Sequence, residues 1–195
     1  QVAVTFEDSI ERFSQRAKVK VTGLPVRPEI ITANRESART LFGVSNDQSL
    51  VFSFGGSQGA RSINKVMAKV LKAFENRRDV KFLHVTGKGQ YEDFMEYCRK
   101  EGMELSVINN NQDIRVLPYM HDMPNALAAA DLVISRAGAA TLAEITARGI
   151  PCILIPYPHA SENHQEYNAR SLVNRGAGEI ILDNDDIEKR IWYYG

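Results

Sequence analysis

The stretch Ser135-Arg-Ala-Gly-Ala-Ala-Thr-Leu-Ala-Glu144 carries the residue types needed to hold a nucleotide. The apolar run at residues 131–135 reads as a short buried strand, residues 141–148 read as a helix, and Gly138 centres the small-residue turn between them. Such a junction is an anion site: glycine lets a ligand approach the backbone, and the first-turn N–H groups have no partner inside the helix. Glu144 has the wrong charge for a phosphate but can accept hydrogen bonds from a sugar diol, so phosphate and ribose would both be served. The same Thr141-x-x-Glu144 spacing is also that of a capping box, in which both side chains satisfy the helix's own N–H groups.

A second glycine loop, Gly55-Gly-Ser-Gln-Gly-Ala60, follows a strand-like run at residues 50–54. It leads into a helix over 61–75, where Ile63, Val66, Met67, Val70, Leu71 and Phe74 recur at helical spacing. The loop has neither the GxGxxG fingerprint nor the lysine of a P-loop. Its glycines and the Ser57 hydroxyl nevertheless suit a phosphate oxygen; a tight turn with glycine there for packing alone is the structural alternative. Arg27 stands in Gly23-Leu-Pro-Val-Arg-Pro28, where two prolines bar regular structure and leave the guanidinium on a loop. His84 lies inside an apolar run and reads as a core histidine.

The elements that must position these residues alternate from residue 50 onward. Strands are expected at 50–54, 80–86, 114–117, 131–135, 152–155 and 179–182, with helices at 61–75, 91–100, 125–130, 141–148 and 159–169. That alternation predicts an α/β fold with a doubly wound, mostly parallel, Rossmann-like sheet. Ahead of it, strands are expected at 2–6 and 19–22 and a helix at 30–41 stopped by Gly43. In such sheets ligands sit beyond the carboxyl ends of the strands. The loops there are 55–60, 119–123, 136–141 and 157–165, and they carry the unusual residues.

Composition excludes other classes. The chain has 195 residues, is 44% hydrophobic and carries a formal net charge of zero. With no lysine–arginine block, nucleic acid is not an expected partner. Cys98 and Cys152 are far apart, without metal-ligand spacing, which suits a reducing cytoplasm. No apolar run approaches the ~20 residues of a membrane span. No metal site and no cofactor are expected. The start on Gln1, running at once into a strand, reads as a piece cut from a longer protein.

Three motifs in order, Gly55-Gly-Ser-Gln-Gly-Ala-Arg61, Arg136-Ala-Gly-Ala-Ala-Thr-Leu-Ala-Glu144 and Asn163-His-Gln-Glu-Tyr-Asn-Ala169, resemble the MurG family of N-acetylglucosaminyltransferases. The likeness covers residues 18–182. It implies the C-terminal, donor-binding half of a two-domain GT-B glycosyltransferase, with residues 1–17 a remnant of the N-terminal acceptor domain and its linker, and 18–195 the UDP-GlcNAc-binding domain. The implied reaction is inverting, metal-independent transfer of GlcNAc from UDP-GlcNAc to lipid I, giving lipid II for peptidoglycan. The implied location is cytoplasmic and peripheral at the inner face of the bacterial membrane, with acceptor and membrane contact through the other half.

Residue by residue, the resemblance makes Arg27 a donor contact and sets Ser57, with Gln58 beside it, on a phosphate of UDP. Met120 meets the uracil through backbone groups, with Met123 packing nearby. Ala139, Ala140, Thr141, Leu142, Ala143 and Glu144 form the phosphate-and-ribose segment, Glu144 on the ribose hydroxyls. Gln165 and Asn168 read the GlcNAc hydroxyls; His164 stands where some relatives have glutamine. No catalytic base is assigned within this half. The alternatives left open are another GT-B glycolipid glycosyltransferase using a UDP-hexose, a nucleotide-sugar-binding subunit inactive alone, and a UDP-GlcNAc 2-epimerase.

Overall fold

The computed structural model describes residues 1–5, 7–103, 108, 112–160 and 163–183. Strand β1 (Val2–Val4) pairs in parallel with β2 (Val19–Val21) as a separate two-stranded sheet. The Thr22 N–H extends it onto the Val4 carbonyl at 3.0 Å. Two 3-10 segments, Glu7–Arg12 and Arg16–Lys18, link the strands, so this pairing joins residues on both sides of the expected boundary at residue 17.

Two short helices follow, α1 (Pro28–Thr32) and α2 (Arg35–Phe42). The sequence predicts one helix here; the chain breaks at Ala33–Asn34. Asn34 adopts an extended conformation and its side chain accepts the Ser37 N–H at 2.9 Å, as an N-cap residue does. Arg148 donates to the carbonyls of Ile31 and Ala33, both at 3.0 Å, satisfying groups the break leaves free.

The main body alternates as expected: β3 (Ser49–Phe54), α3 (Arg61–Ala73), β4 (Val80–Val85), α4 (Tyr91–Lys100), β5 (Ile114–Leu117), α5 (Met123–Ala129), β6 (Leu132–Ser135), α6 (Ala139–Arg148), β7 (Cys152–Leu154), α7 (His164–Val173) and β8 (Gly178–Ile180). The six strands β3 to β8 form one sheet in the order β5-β4-β3-β6-β7-β8, and every pairing is parallel. From β3 the chain winds outward through β4 to β5; from β6 it winds the other way through β7 to β8. The switch point lies between β3 and β6, the crevice where open parallel sheets bind ligands.

Both faces of the sheet are covered, which is why the strands read as continuous apolar runs. Phe52, Leu83, Val133 and Leu154 face the core under α1, α2, α5 and α6, with Ile30, Leu127 and Leu142. Their neighbours Val51, Phe82, Ile134 and Ile153 turn to the other layer, with Ile63, Met67, Leu71 and Phe94 of α3 and α4. The period of two along each strand produces this division. His84 is fully buried on the α3/α4 face, as expected, with Nδ1 2.8 Å from the Ser53 hydroxyl and its ring 4.6 Å from Phe94. Burial holds its pKa down at about 3, so the ring stays neutral. Burial likewise pushes the thiols of Cys98 to about 12 and Cys152 to about 11, which leaves both unreactive.

Two helix starts differ from expectation. The helix expected from residue 159 begins at His164, after a turn at Pro158–His159 and a left-handed Asn163 with φ 55°; residues 161–162 lie outside the described part. The helix expected from Thr141 begins at Ala139, with Gly138 as its N-cap and no side-chain cap. Thr141 and Glu144 therefore do not form a capping box, and neither side chain is spent on the helix's own N–H groups.

Candidate functional site

The two glycine loops emerge side by side from the carboxyl ends of β3 and β6, which pair at Phe54 and Ser135. The first is fixed by backbone packing. At Gly59, φ is 77° and a Cβ would come within 2.0 Å of the Thr86 carbonyl oxygen. At Gly87, φ is 89° and a Cβ would meet the Gln58 carbonyl oxygen at 2.6 Å. Gln90 donates to that Gln58 oxygen at 2.9 Å, and Asn64 donates to Thr86 at 3.0 Å. Those contacts hold the loop and leave the Ser57 and Gln58 side chains exposed at its tip.

The second loop has a different logic. Gly138 has φ −69° and ψ 141°, which any residue adopts, and a Cβ there would find only Thr141 Oγ1, at 3.9 Å. Its smallness is not demanded by the fold, which leaves open space in front of the α6 N-terminus. The N–H groups of Ala139, Ala140 and Thr141 precede the first helical bond, made by Leu142 N–H to the Gly138 carbonyl at 3.0 Å. The Leu142 side chain is buried in the core, so neither it nor its N–H faces the loops, and Ala143 is already within the helix.

Between these loops lies a cavity of about 190 Å³, lined by Gly56, Ser57, Tyr119, Met120, Met123 and Thr141 over a floor of Phe54 and Val85. It brings together Ser57, Met120, Met123 and Thr141 from three separate segments. The largely buried Met120 lies after β5, and Met123 opens α5, where Asp122 caps by accepting the Asn125 N–H at 3.2 Å. Tyr119 packs edge-on against His121 at 4.7 Å, with the Lys88 ammonium 4.8 Å from its ring centre. A larger cavity, about 530 Å³, lies at the opposite edge, lined by Ile145, Ile150, Leu172 and the amino ends of β7 and β8. It contains none of the sequence-predicted residues and lies at the wrong end of a parallel sheet for a ligand.

One turn into α6, Glu144 is paired with Arg27. The guanidinium Nε and Nη2 donate to Oε1 at 3.2 and 2.9 Å, with Arg27 57% and Glu144 17% exposed. Arg27 is positioned by the extended backbone before Pro28, the first residue of α1. The pair holds the carboxylate in place while the remaining N–H donors of Arg27 stay available to an anion.

The third group comes from α7. Gln165 Oε1 accepts the Tyr157 N–H at 3.0 Å, so its amide offers a ligand its NH2. Asn168 donates to the Ala137 carbonyl at 3.2 Å and offers its Oδ1. A donor and an acceptor side by side suit vicinal hydroxyls. His164 is exposed on the same first turn.

Sequence reasoning missed Arg136. Though inside the quoted motif, it is 9% exposed and points inward. Nη1 donates to the carbonyls of Ile155 at 3.0 Å and Pro156 at 2.9 Å. Nη2 donates to Ser62 Oγ at 2.9 Å and pairs with Asp183 at 2.6 Å, and the guanidinium carbon is 5.4 Å from the Tyr157 ring centre. Asp183 also begins Asp183-Asn-Asp185, a spacing known from metal sites that the expectation of no metal overlooked. Its carboxylate is taken by Arg136 and by the Ser62 hydroxyl at 2.7 Å; Asn184 and Asp185 lie outside the described residues. Among the described residues no three His, Cys, Asp or Glu side chains gather as a metal site, and no helix is long and apolar enough to cross a membrane.

The chain is 50% identical over 184 residues to the UDP-N-acetylglucosamine–N-acetylmuramyl-(pentapeptide) pyrophosphoryl-undecaprenol N-acetylglucosamine transferase of Desulforamulus reducens. It matches the protein of that name from Moorella thermoacetica equally well, in each case over 94% of this chain and 49% of the relative. It spans about half the length of these curated relatives. Among solved structures it resembles Acinetobacter baumannii MurG, with a TM-score of 0.66 and 25% identity over 90% of this chain and 48% of that one. The model of the glycosyltransferase family 28 C-terminal domain matches residues 50–191, from β3 past β8, and the chain belongs to that family.

Proposed function

We propose that this chain is the donor-binding half of a GT-B enzyme that transfers GlcNAc from UDP-GlcNAc to lipid I, with inversion and without a metal, to give lipid II in peptidoglycan synthesis. One observation carries the reading: Ser57, Met120, Met123 and Thr141 surround one cavity at the switch point of the sheet, with Glu144 and Arg27 beside it. The half-length match to relatives of that named activity supports it.

In this reading uracil lies against Met120 and Met123, and the ribose hydroxyls donate to Glu144. The diphosphate meets the Ser57 hydroxyl, Gln58, Arg27 and the N–H groups of Ala139, Ala140 and Thr141. GlcNAc reaches Gln165 and Asn168, with His164 next to them. The acceptor oxygen attacks the anomeric carbon, the bond to the β-phosphate oxygen breaks with inversion, and UDP leaves. Charge then grows on the diphosphate, where a guanidinium, a hydroxyl and a helix N-terminus stabilise it more in the transition state than in the ground state.

The acceptor hydroxyl's proton must go to a base within hydrogen-bond reach. Glu144 is committed to Arg27 and the ribose. In this reading His121, packed against Tyr119, lies on the uracil side, and His159 and His164, in the segment that carries Gln165, stand on the donor side of the hexose. In this reading the base and the lipid I site belong to an amino-terminal half; residues 1–17 are its trailing end, held to the donor domain of residues 18–195 by the pairing of β1 with β2. Membrane contact at the cytoplasmic face is assigned to that half as well. The test is UDP release from UDP-GlcNAc with a lipid I analogue. The chain alone should give none, and adding the amino-terminal half of a relative should restore it. Release by the chain alone at an enzymatic rate would contradict this division and put the base among these residues, with His164 first in line.

A further inference from the structure

We propose that Arg136 is the positioning residue of the hexose pocket: it fixes the two backbone atoms on which Gln165 and Asn168 are hung. The inference rests on the donor-binding reading above and adds to it a residue that never touches the donor.

The geometry is a short chain of contacts. Gln165 is oriented by the Tyr157 N–H, and Asn168 by the carbonyl of Ala137. Arg136 is next to Ala137 in sequence, and its guanidinium grips the carbonyls of Ile155 and Pro156, immediately before Tyr157, while lying against the Tyr157 ring. Pro156 and Pro158 flank Tyr157, so few N–H groups are available there to anchor this loop by backbone bonds. The buried guanidinium does that work instead. Its other edge is held by Ser62 and Asp183, which also bond each other. A planar fork is required: one group reaches two carbonyls on one side and a hydroxyl and carboxylate on the other, which an ammonium cannot do. The nucleotide end of the cleft depends on other contacts, those of Gln90, Asn64 and Arg27. Arg136 should therefore govern the sugar and not the base.

The experiment titrates the 195-residue chain and its Arg136→Lys variant with UDP-GlcNAc and with UDP. The expected result is a loss of UDP-GlcNAc affinity of about ten-fold. UDP affinity should change by less than about two-fold. Combined with Gln165→Ala, Arg136→Lys should add less than its full single-variant loss, because the two changes share the Gln165 contact and only the Asn168 contact is left to lose. A role in stability alone would lower the melting temperature without this selectivity. Equal losses for both ligands, or full additivity with Gln165→Ala, would overturn the inference while leaving the donor reading intact. An unaltered chain that binds neither ligand would sink the donor reading and this inference with it. Should Arg136→Lys fail to fold, Asp183→Asn loosens the same guanidinium and should give a smaller loss of the same selectivity; no selective loss there overturns the inference too.

Discussion

Glu144 and Arg27 are separated by 117 positions and meet through one carboxylate oxygen. An exposed ion pair adds little to stability, typically about 0–1 kcal/mol, so its worth here is geometric: it holds an acceptor toward the cleft. Because Gly138, and not Thr141, caps α6, removing Glu144 should not unravel the helix. Glu144→Ala should weaken UDP binding by about 1.5–3 kcal/mol for a lost charged hydrogen bond to ribose. Its melting temperature should stay near that of the parent. Titration beside thermal melts checks this, and unchanged affinity with a lowered melting point would return Glu144 to a structural role. The sequence left two readings of this residue, a ribose acceptor or half of a capping box, and the helix start at Ala139 removes the second. The sequence did not carry the partner, because nothing local links a loop arginine to a helix so far along the chain. Arg136 was invisible as an anchor for the same reason: each of its partners comes from a different element.

Elements were legible where periodicity ruled. The continuous apolar runs of β3, β4 and β6 reflect burial on two faces, the spacing in α3 reflects one buried stripe, and those elements stand within a few residues of expectation. Helix starts were misjudged where the backbone decides: at Ala139, capped by a glycine, and at His164, capped by a left-handed asparagine. The split between α1 and α2 was missed because Asn34 caps from within a stretch of ordinary helical composition.

The seam between β3, β4 and α4 makes its own prediction. His84 titrates near 6.5 in the unfolded chain and about 3 when folded, so below pH 6.5 the unfolded state binds the extra proton. Stability is therefore full above that pH and declines as the pH falls toward 3. Between pH 7 and pH 5 this one ring should remove on the order of 2 kcal/mol. The double variant Ser53→Ala/His84→Leu, which leaves neither polar group of the pair unpartnered, should flatten that part of the profile in urea melts. An unchanged slope would mean the ring is reached by water.

At the scale of the molecule, strand order explains why Ser57, Met120 and Thr141, far apart in the chain, line one cavity. The β5-β4-β3-β6-β7-β8 order puts the two glycine loops on adjacent strands at the point where winding reverses, and the loops after β5 and β7 flank them. Alternation of strands and helices was enough to point to this edge as the candidate site, and Ser57, Met120, Met123 and Thr141 do line one cavity there; the strand order itself was not legible. A cleft that relies on a guanidinium, a hydroxyl and helix N–H groups for its anion predicts that EDTA leaves UDP affinity unchanged. A Mg²⁺ requirement in the same titration would redirect attention to Asp183 and Asp185.

The central claim is that this carboxyl edge holds a uridine nucleotide sugar. Calorimetric titration of the chain with UDP-GlcNAc, UDP-glucose and UDP tests it most directly. The account predicts saturable binding of UDP and UDP-GlcNAc at one site per chain, with UDP-glucose weaker than UDP-GlcNAc; absence of binding by either UDP or UDP-GlcNAc would contradict it.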